Sequence, residues 1–174
     1  MSKENDEYDG RDTFESKERL GASEEGLKRV YIDAYPEDSI DGKHAHTKFK
    51  ILHRENGYIL GLAFPQTGRQ HQIRVHAKVR GLPLVGDKLY LGGFEMFQRF
   101  KDKFATPEDH EMMEFNRHAL HAVALRINYQ GNEKVFRSHI PKDFIPLIKN
   151  KVTIALSELE KIMETAILNY FEAK

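Results

Sequence analysis

Two apolar runs, HTKFKIL and YILGLAF, stand on either side of HRENG. Asn56-Gly57 inside that linker is a pair suited to the positive φ angles of a tight two-residue turn, so a β-hairpin is the clearest local element. Upstream, VYIDAY reads as a short strand and PEDSIDG as a loop. Residues 1 to 27 are polar, rich in Glu, Ser and Gly, and show no sustained apolar period. They predict a mobile arm or a loosely attached short helix that adds little to a core.

The stretch after Pro65 carries two conflicting periods. Ile73, Val75, Ala77 and Val79 alternate as in a half-buried strand. Thr67 and Gln70, however, have the spacing of a capping box, Gly81 stands where a helix ends, and Pro83 follows. The punctuation outweighs the alternation and predicts a helix over 68–80. On it His71, Arg74 and Lys78 share one face, and Ile73, Ala77 and Arg80 another.

Farther on, Phe94, Phe97, Phe100 and Phe104 fall at helical spacing. Thr106-Pro107 then reads as the N-cap and first residue of a second packing helix running to about Arg117. LHAVALRINY and KVFRSHI flank Gln130-Gly131-Asn132 and predict another hairpin. Val152, Leu156, Leu159, Ile162, Met163, Ala166, Ile167 and Tyr170 trace the apolar stripe of one long terminal helix. Hairpins and helices without βαβ alternation indicate an α+β fold with a mixed, mostly antiparallel sheet flanked by helices. The expected divisions are an arm at 1–27, a domain at 28–149 and an amphipathic helix at 150–174.

Composition adds constraints. A chain of 174 residues, 40% hydrophobic, can bury the core of one modest domain. The absence of cysteine excludes disulfides and thiolate metal sites and agrees with a cytoplasmic location; no apolar run suits a membrane span or a signal peptide. The formal net charge of zero hides an asymmetry. Residues 1 to 41 hold 13 acidic and 6 basic side chains of the 27 of each, leaving 14 and 21 for the remainder. Phe64 through Gly86 contains no acid but carries Arg69, Arg74, Lys78 and Arg80 with His71 and His76. Such a stretch could meet phosphates, or could be balanced in space by the acidic N-terminal portion.

TGRQHQIRVHAKVRGLPLVGDKLY, from Thr67 to Tyr90, closely resembles the RluA-type pseudouridine synthase motif, written TGRTHQIRVH followed by GxPIxGDxxY. HAHTKFKIL and RHALHAVALRI resemble that family's flanking strands, in the same order, so the likeness runs from His44 to Phe144. It implies RNA as partner, ribosomal or transfer, with a uridine flipped out, attacked by an aspartate, and rejoined through carbon without a cofactor or metal. By motif, the arginine that pairs with the aspartate is Arg74, and a guanidinium fork orients a carboxylate well. Arg69, His71, Gln72, Lys78 and Arg80 would form the RNA-binding surface. Thr67, Gly68, Gly81, Gly86, Asp87 and His121 read as structural members of the motif. Asp87 is expected to bond nearby backbone N–H groups in a turn rather than to act as nucleophile.

The family's nucleophile lies earlier, in HRLDxxTSG, and this sequence contains no such string, nor a convincing match to the strand bearing the family's active-site tyrosine. Tyr31 does not take that role, and Asp33, Asp38 and Asp41 have loop-like or acidic surroundings that do not recommend them as substitutes. The expectation is an incomplete pseudouridine synthase fold with an extra C-terminal helix, inactive by itself. Its partner would be a second copy or a complementing N-terminal fragment. The alternatives are a non-catalytic RNA-binding or assembly module, and a fragment of a split or truncated synthase. A metal site built from His44, His46, His71, His76, His118 and His121 is disfavoured, because these spacings lack the accompanying carboxylate order of zinc motifs.

Overall fold

The computed structural model describes residues 1–23 and 30–173. They form two compact units, Met1–Ala119 and Leu120–Lys174. The boundary expected at residue 150 falls inside the second.

The first unit is built on the hairpin of β5 (Thr47–Glu55) and β6 (Tyr58–Pro65). Asn56 and Gly57 take φ of 52° and 74° in its turn, as the Asn-Gly pair predicts. The register shifts between Ile51 and His53. β1 (Ser2–Lys3) pairs with β6, and β2 (Thr13–Ser16) with β5, giving the antiparallel order β1-β6-β5-β2. A separate ribbon joins β3 (Arg19–Ala22) to β4 (Ile32–Tyr35).

The expected N-terminal arm is therefore corrected. Residues 2–22 supply three strands, Phe14 and Leu20 are buried, and the Phe14 ring stacks on Phe49 at 5.0 Å. Strands of two to four residues are too short to display a period; the long hairpin supplies the ladder for β1 and β2, and β4 supplies it for β3. The remainder of the expected arm, 24–27, lies outside the described residues.

Helix α1 spans Gln72–Val79, shorter than expected. Its N-cap is His71 at φ 55°, and Thr67 makes no cap; its hydroxyl accepts from His46 N–H and donates to Gln72 Oε1. The C-terminus follows the sequence: Gly81 (φ 71°) donates to Lys78 O and Leu82 to Ala77 O, the paired bonds of a Schellman motif.

Helix α2 (Gly93–Lys101) packs Phe94 and Phe97 on a cluster of Leu20, Ile32, Ala45, Val75, Leu89 and Tyr90. Lys103 turns left-handed and the Phe104 N–H closes on Arg99 O, ending the helix and leaving Phe104 77% exposed rather than in the expected stripe. Thr106 and Asp109 form a reciprocal capping box on α3 (Pro107–Met113). That helix stops short of Arg117 because Glu114 turns left-handed, its carboxylate taken by Tyr58 and Lys3.

The second unit holds the hairpin β7 (Ala124–Tyr129) and β8 (Asn132–Arg137), then α4 (Phe144–Lys151) and α5 (Leu156–Glu172). The single terminal helix is thus corrected to two, with extended backbone at Val152. The run Val152-Thr153-Ile154 is β-branched at each position, which crowds a helical turn. Arg126 donates to Phe171 O at 2.8 Å, fixing α5 to the hairpin. All described strand pairs are antiparallel, distributed over three sheets rather than one. Among the described residues no helix is long and apolar enough to cross a membrane.

Candidate functional site

The motif from Thr67 to Tyr90 folds so that α1 faces the turn that follows it. Gly86 sits at φ 76° with its Cα against the Arg117 carbonyl, where a Cβ would overlap that oxygen. This close approach brings Asp87 inward. Its side chain is fully buried, and Oδ1 accepts the N–H groups of Leu89 (3.2 Å) and Tyr90 (3.1 Å).

Arg74 meets Asp87 with a two-pronged pair, Nε to Oδ2 and Nη2 to Oδ1, both 2.7 Å. The Arg74 side chain is only 15% exposed and its guanidinium lies over the Tyr90 ring at 4.7 Å. Among the described residues nothing accepts a hydrogen bond from Nη1. Burial, the largest influence on the Asp87 carboxyl, would raise its pKa. The Arg74 hydrogen bonds and charge, with the Tyr90 and Leu89 amides, outweigh burial and hold the group below the usual carboxylate range. A buried carboxylate with both oxygens engaged is an orienting group, and its lone pairs are not presented to a substrate.

Tyr90 ties the site to β4. Its hydroxyl accepts from Ile32 N–H at 3.1 Å, lies 3.3 Å from Ile32 O, and is 2.9 Å from His71 Nδ1. Burial pushes the phenol pKa far above its ordinary value, so it stays a neutral donor and acceptor. Lys78, one turn along from Arg74, donates to Tyr31 Oη at 2.7 Å. Tyr31 and Tyr90 rings pack at 5.0 Å, so the face shared by His71, Arg74 and Lys78 rests on an aromatic floor.

The other sequence-selected residues are also placed. Gln72 is buried; its Oε1 accepts from Arg69 N–H and the Thr67 hydroxyl, and its Nε2 donates to His46 O and Thr47 Oγ1. Arg69 donates to His44 O at 2.9 Å, beside Gly68. Arg80 reaches Ser16 Oγ and Glu18 Oε1, so part of the basic stretch is balanced by the acidic N-terminal strands. His76 is buried between Thr47 Oγ1 (2.8 Å) and Glu18 O (3.0 Å), and burial lowers its pKa. In the second unit, His121 Nε2 pairs with Ser138 Oγ at 2.9 Å. Among the described residues no three His, Asp or Glu side chains gather as a metal site.

Sequence reasoning missed Tyr90 and Tyr31 as members of this site, as well as His118. Tyr90 was readable as the last letter of the motif, whereas Tyr31 and His118 are remote in sequence.

The first unit is thus an antiparallel α+β scaffold that presents Arg74 of the motif on a buried carboxylate. The human protein "RNA Pseudouridylate Synthase Domain Containing 1" shares the fold, with a TM-score of 0.59 and 21% identity over 89% of this chain and 60% of that one. No family model matches the chain. Its similarity to curated proteins is closer in sequence. It is 36% identical over 110 residues to ribosomal large subunit pseudouridine synthase D of Haemophilus ducreyi, covering 62% of this chain and 33% of that protein. Against synthase D of Vibrio cholerae it is 35% identical over 127 residues, covering 71% and 36%. Against synthase C of Escherichia coli the identity is 36% over 105 residues, covering 60% and 30%. The chain spans about a third of the length of these relatives. It is thus homologous to RluA-type pseudouridine synthases over that shared portion.

Proposed function

We propose that these residues are the RNA-facing part of a pseudouridine synthase, binding structured ribosomal or transfer RNA in the cytoplasm, and that the isolated chain makes no pseudouridine. The observation that carries this reading is the Arg74 guanidinium: Asp87 fixes two of its nitrogens, and Nη1 has no acceptor among the described residues. A mostly buried cation with one unspent edge suits an external anion. In the assembled enzyme that edge orients the nucleophilic aspartate, supplied by a complementing N-terminal portion; without a covalent nucleophile the two-step isomerisation has no route. Lys78, on the same face of α1, serves as a phosphate contact; Arg69 and Arg80, held on His44 O and on Glu18, extend the basic surface along the motif, with Gln72 as a buried scaffold.

Two measurements test this. Incubation of the pure chain with cellular RNA, followed by nucleoside analysis, is expected to show no pseudouridine above background, and turnover would overturn the inactive reading. Binding of a uridine-containing stem-loop across salt is expected to weaken for Lys78→Ala. The slope of log K against log salt should flatten by about 0.7 if one single-stranded phosphate contact is lost. A variant with unchanged affinity and slope would remove Lys78 from the RNA surface.

A further inference from the structure

Two histidines feel the Arg74 charge and neither has a settled role. His71 caps α1 in a left-handed conformation and spends Nδ1 on the Tyr90 hydroxyl, leaving Nε2 without a hydrogen-bond partner among the described residues. His118 lies on a segment clamped along the Val85–Lys88 turn: Ala119 N–H donates to Val85 O at 2.8 Å, and Lys88 Nζ donates to Asn116 O at 2.6 Å. The Arg117 carbonyl packs on Gly86, so the clamp sets His118 next to the turn that carries Asp87. His118 is open to solvent, yet its ring is partly desolvated, and it makes no hydrogen bond among the described residues.

We infer that His71 and His118 together hold one phosphate group beside Arg74, and that this binding draws protons onto their rings. The inference rests on the RNA-binding reading only for the source of the phosphate. Asp87 offsets much of the Arg74 charge, so a protonated imidazole beside the open Nη1 edge would add to the attraction that edge offers an anion. The charged and titratable groups acting on the two rings are Arg74 and Asp87 for both, Lys88 and Arg117 for His118, and His118 itself for His71. Tyr90 and, one helical turn away, Lys78 complete the surroundings. In the free protein burial first, then the Arg74 charge, lowers both pKa values, so the rings are neutral at pH 7. A bound phosphate reverses the sign of that field, and linkage then requires proton uptake.

The experiment follows the histidine ring resonances of the full chain by NMR from pH 5 to 8. It is run alone, with sulfate as a tetrahedral dianion that does not titrate in this range, and with the stem-loop RNA. His71→Gln and His118→Gln assign the signals, and buried His76 serves as the internal control. The expected result is an upward move of the His71 and His118 midpoints with the ligand while His76 stays. RNA affinity should rise as pH falls from 8 to 6, by up to about tenfold per pH unit for each proton taken up. That rise should be reduced in His118→Gln, with melting temperature checked at pH 8. Movement with RNA supports the site in full. Movement with sulfate alone supports the site and removes RNA as its source. Rings that titrate identically in all three conditions overturn the inference, and if the stem-loop still binds, the RNA reading survives without it.

Discussion

At the scale of single residues, the site depends on one buried carboxylate and one glycine. Asp87→Asn would leave Arg74 mostly buried without its counter-charge, and losing one partner of such a pair costs about 3–5 kcal/mol. Urea unfolding at pH 7 measures it. Because the folded Asp87 carboxyl titrates below its ordinary 3.8, its contribution is full above that value and is lost as pH falls through the lower folded one. The Asn variant should lack that part of the acid transition, and a variant as stable as wild type would show that the pair contributes nothing. Gly86→Ala brings a Cβ into the Arg117 carbonyl at φ 76°. It should cost more than the roughly 1–2 kcal/mol of left-handed backbone strain alone. Gly57, at φ 74° with open space around it, supplies the comparison: Gly57→Ala should show the backbone cost only.

At the scale of elements, α1 docks on β5 through a short polar relay rather than by apolar contact alone. Thr47 Oγ1 accepts from Gln72 Nε2, so its own hydrogen serves His76 Nδ1, and His76 Nε2–H donates to Glu18 O. That assignment requires a neutral imidazole, in keeping with the pKa that burial lowers. His76, His71 and His118 all have folded pKa values below 6.5. The unfolded chain therefore binds more protons as pH falls below 6.5, and folding stability should decline in that direction. Calorimetric melting between pH 7.5 and 5.5 checks the sign; a midpoint that rises on acidification would refute the neutral relay. Thr47→Val leaves buried His76 Nδ1 without a donor and takes one of the two acceptors of Gln72 Nε2, a cost of about 1–3 kcal/mol, and Thr47→Ser should recover most of it.

On the scale of the whole molecule, the charge asymmetry of the sequence becomes pairing in space. Glu15 reaches Lys48 at 3.1 Å, Glu18 reaches Arg80 at 2.6 Å, and Arg54 lies near Glu4 and Asp12. Acidic side chains of the N-terminal region thus neutralise part of the basic surface. Glu18→Gln should release Arg80, strengthen stem-loop binding and steepen the salt slope by about 0.7 if one single-stranded phosphate is gained. An unaltered slope would show that Arg80 is only a structural partner of the strands.

The sequence by itself determined the features that neighbouring residues decide among themselves. Asn56-Gly57 set a turn because few other pairs tolerate its backbone, Gly81 ended α1, and Thr106-Pro107 began α3. The motif from Thr67 to Tyr90 disclosed the fold and singled out Arg74. Other features were set by tertiary contacts. β1 and β2 become strands because β6 and β5 offer edges to them, and β3 because β4 does, and no local period announces that. Thr67 gives up its expected cap because His46 and Gln72 compete for its hydroxyl. Arg74 acquires Asp87, Tyr90 and the neighbourhood of His118 through turns that bring segments 13 to 44 residues apart together. A side chain's partner is set by where the chain returns, and the spacing along it carries only the local half of that information.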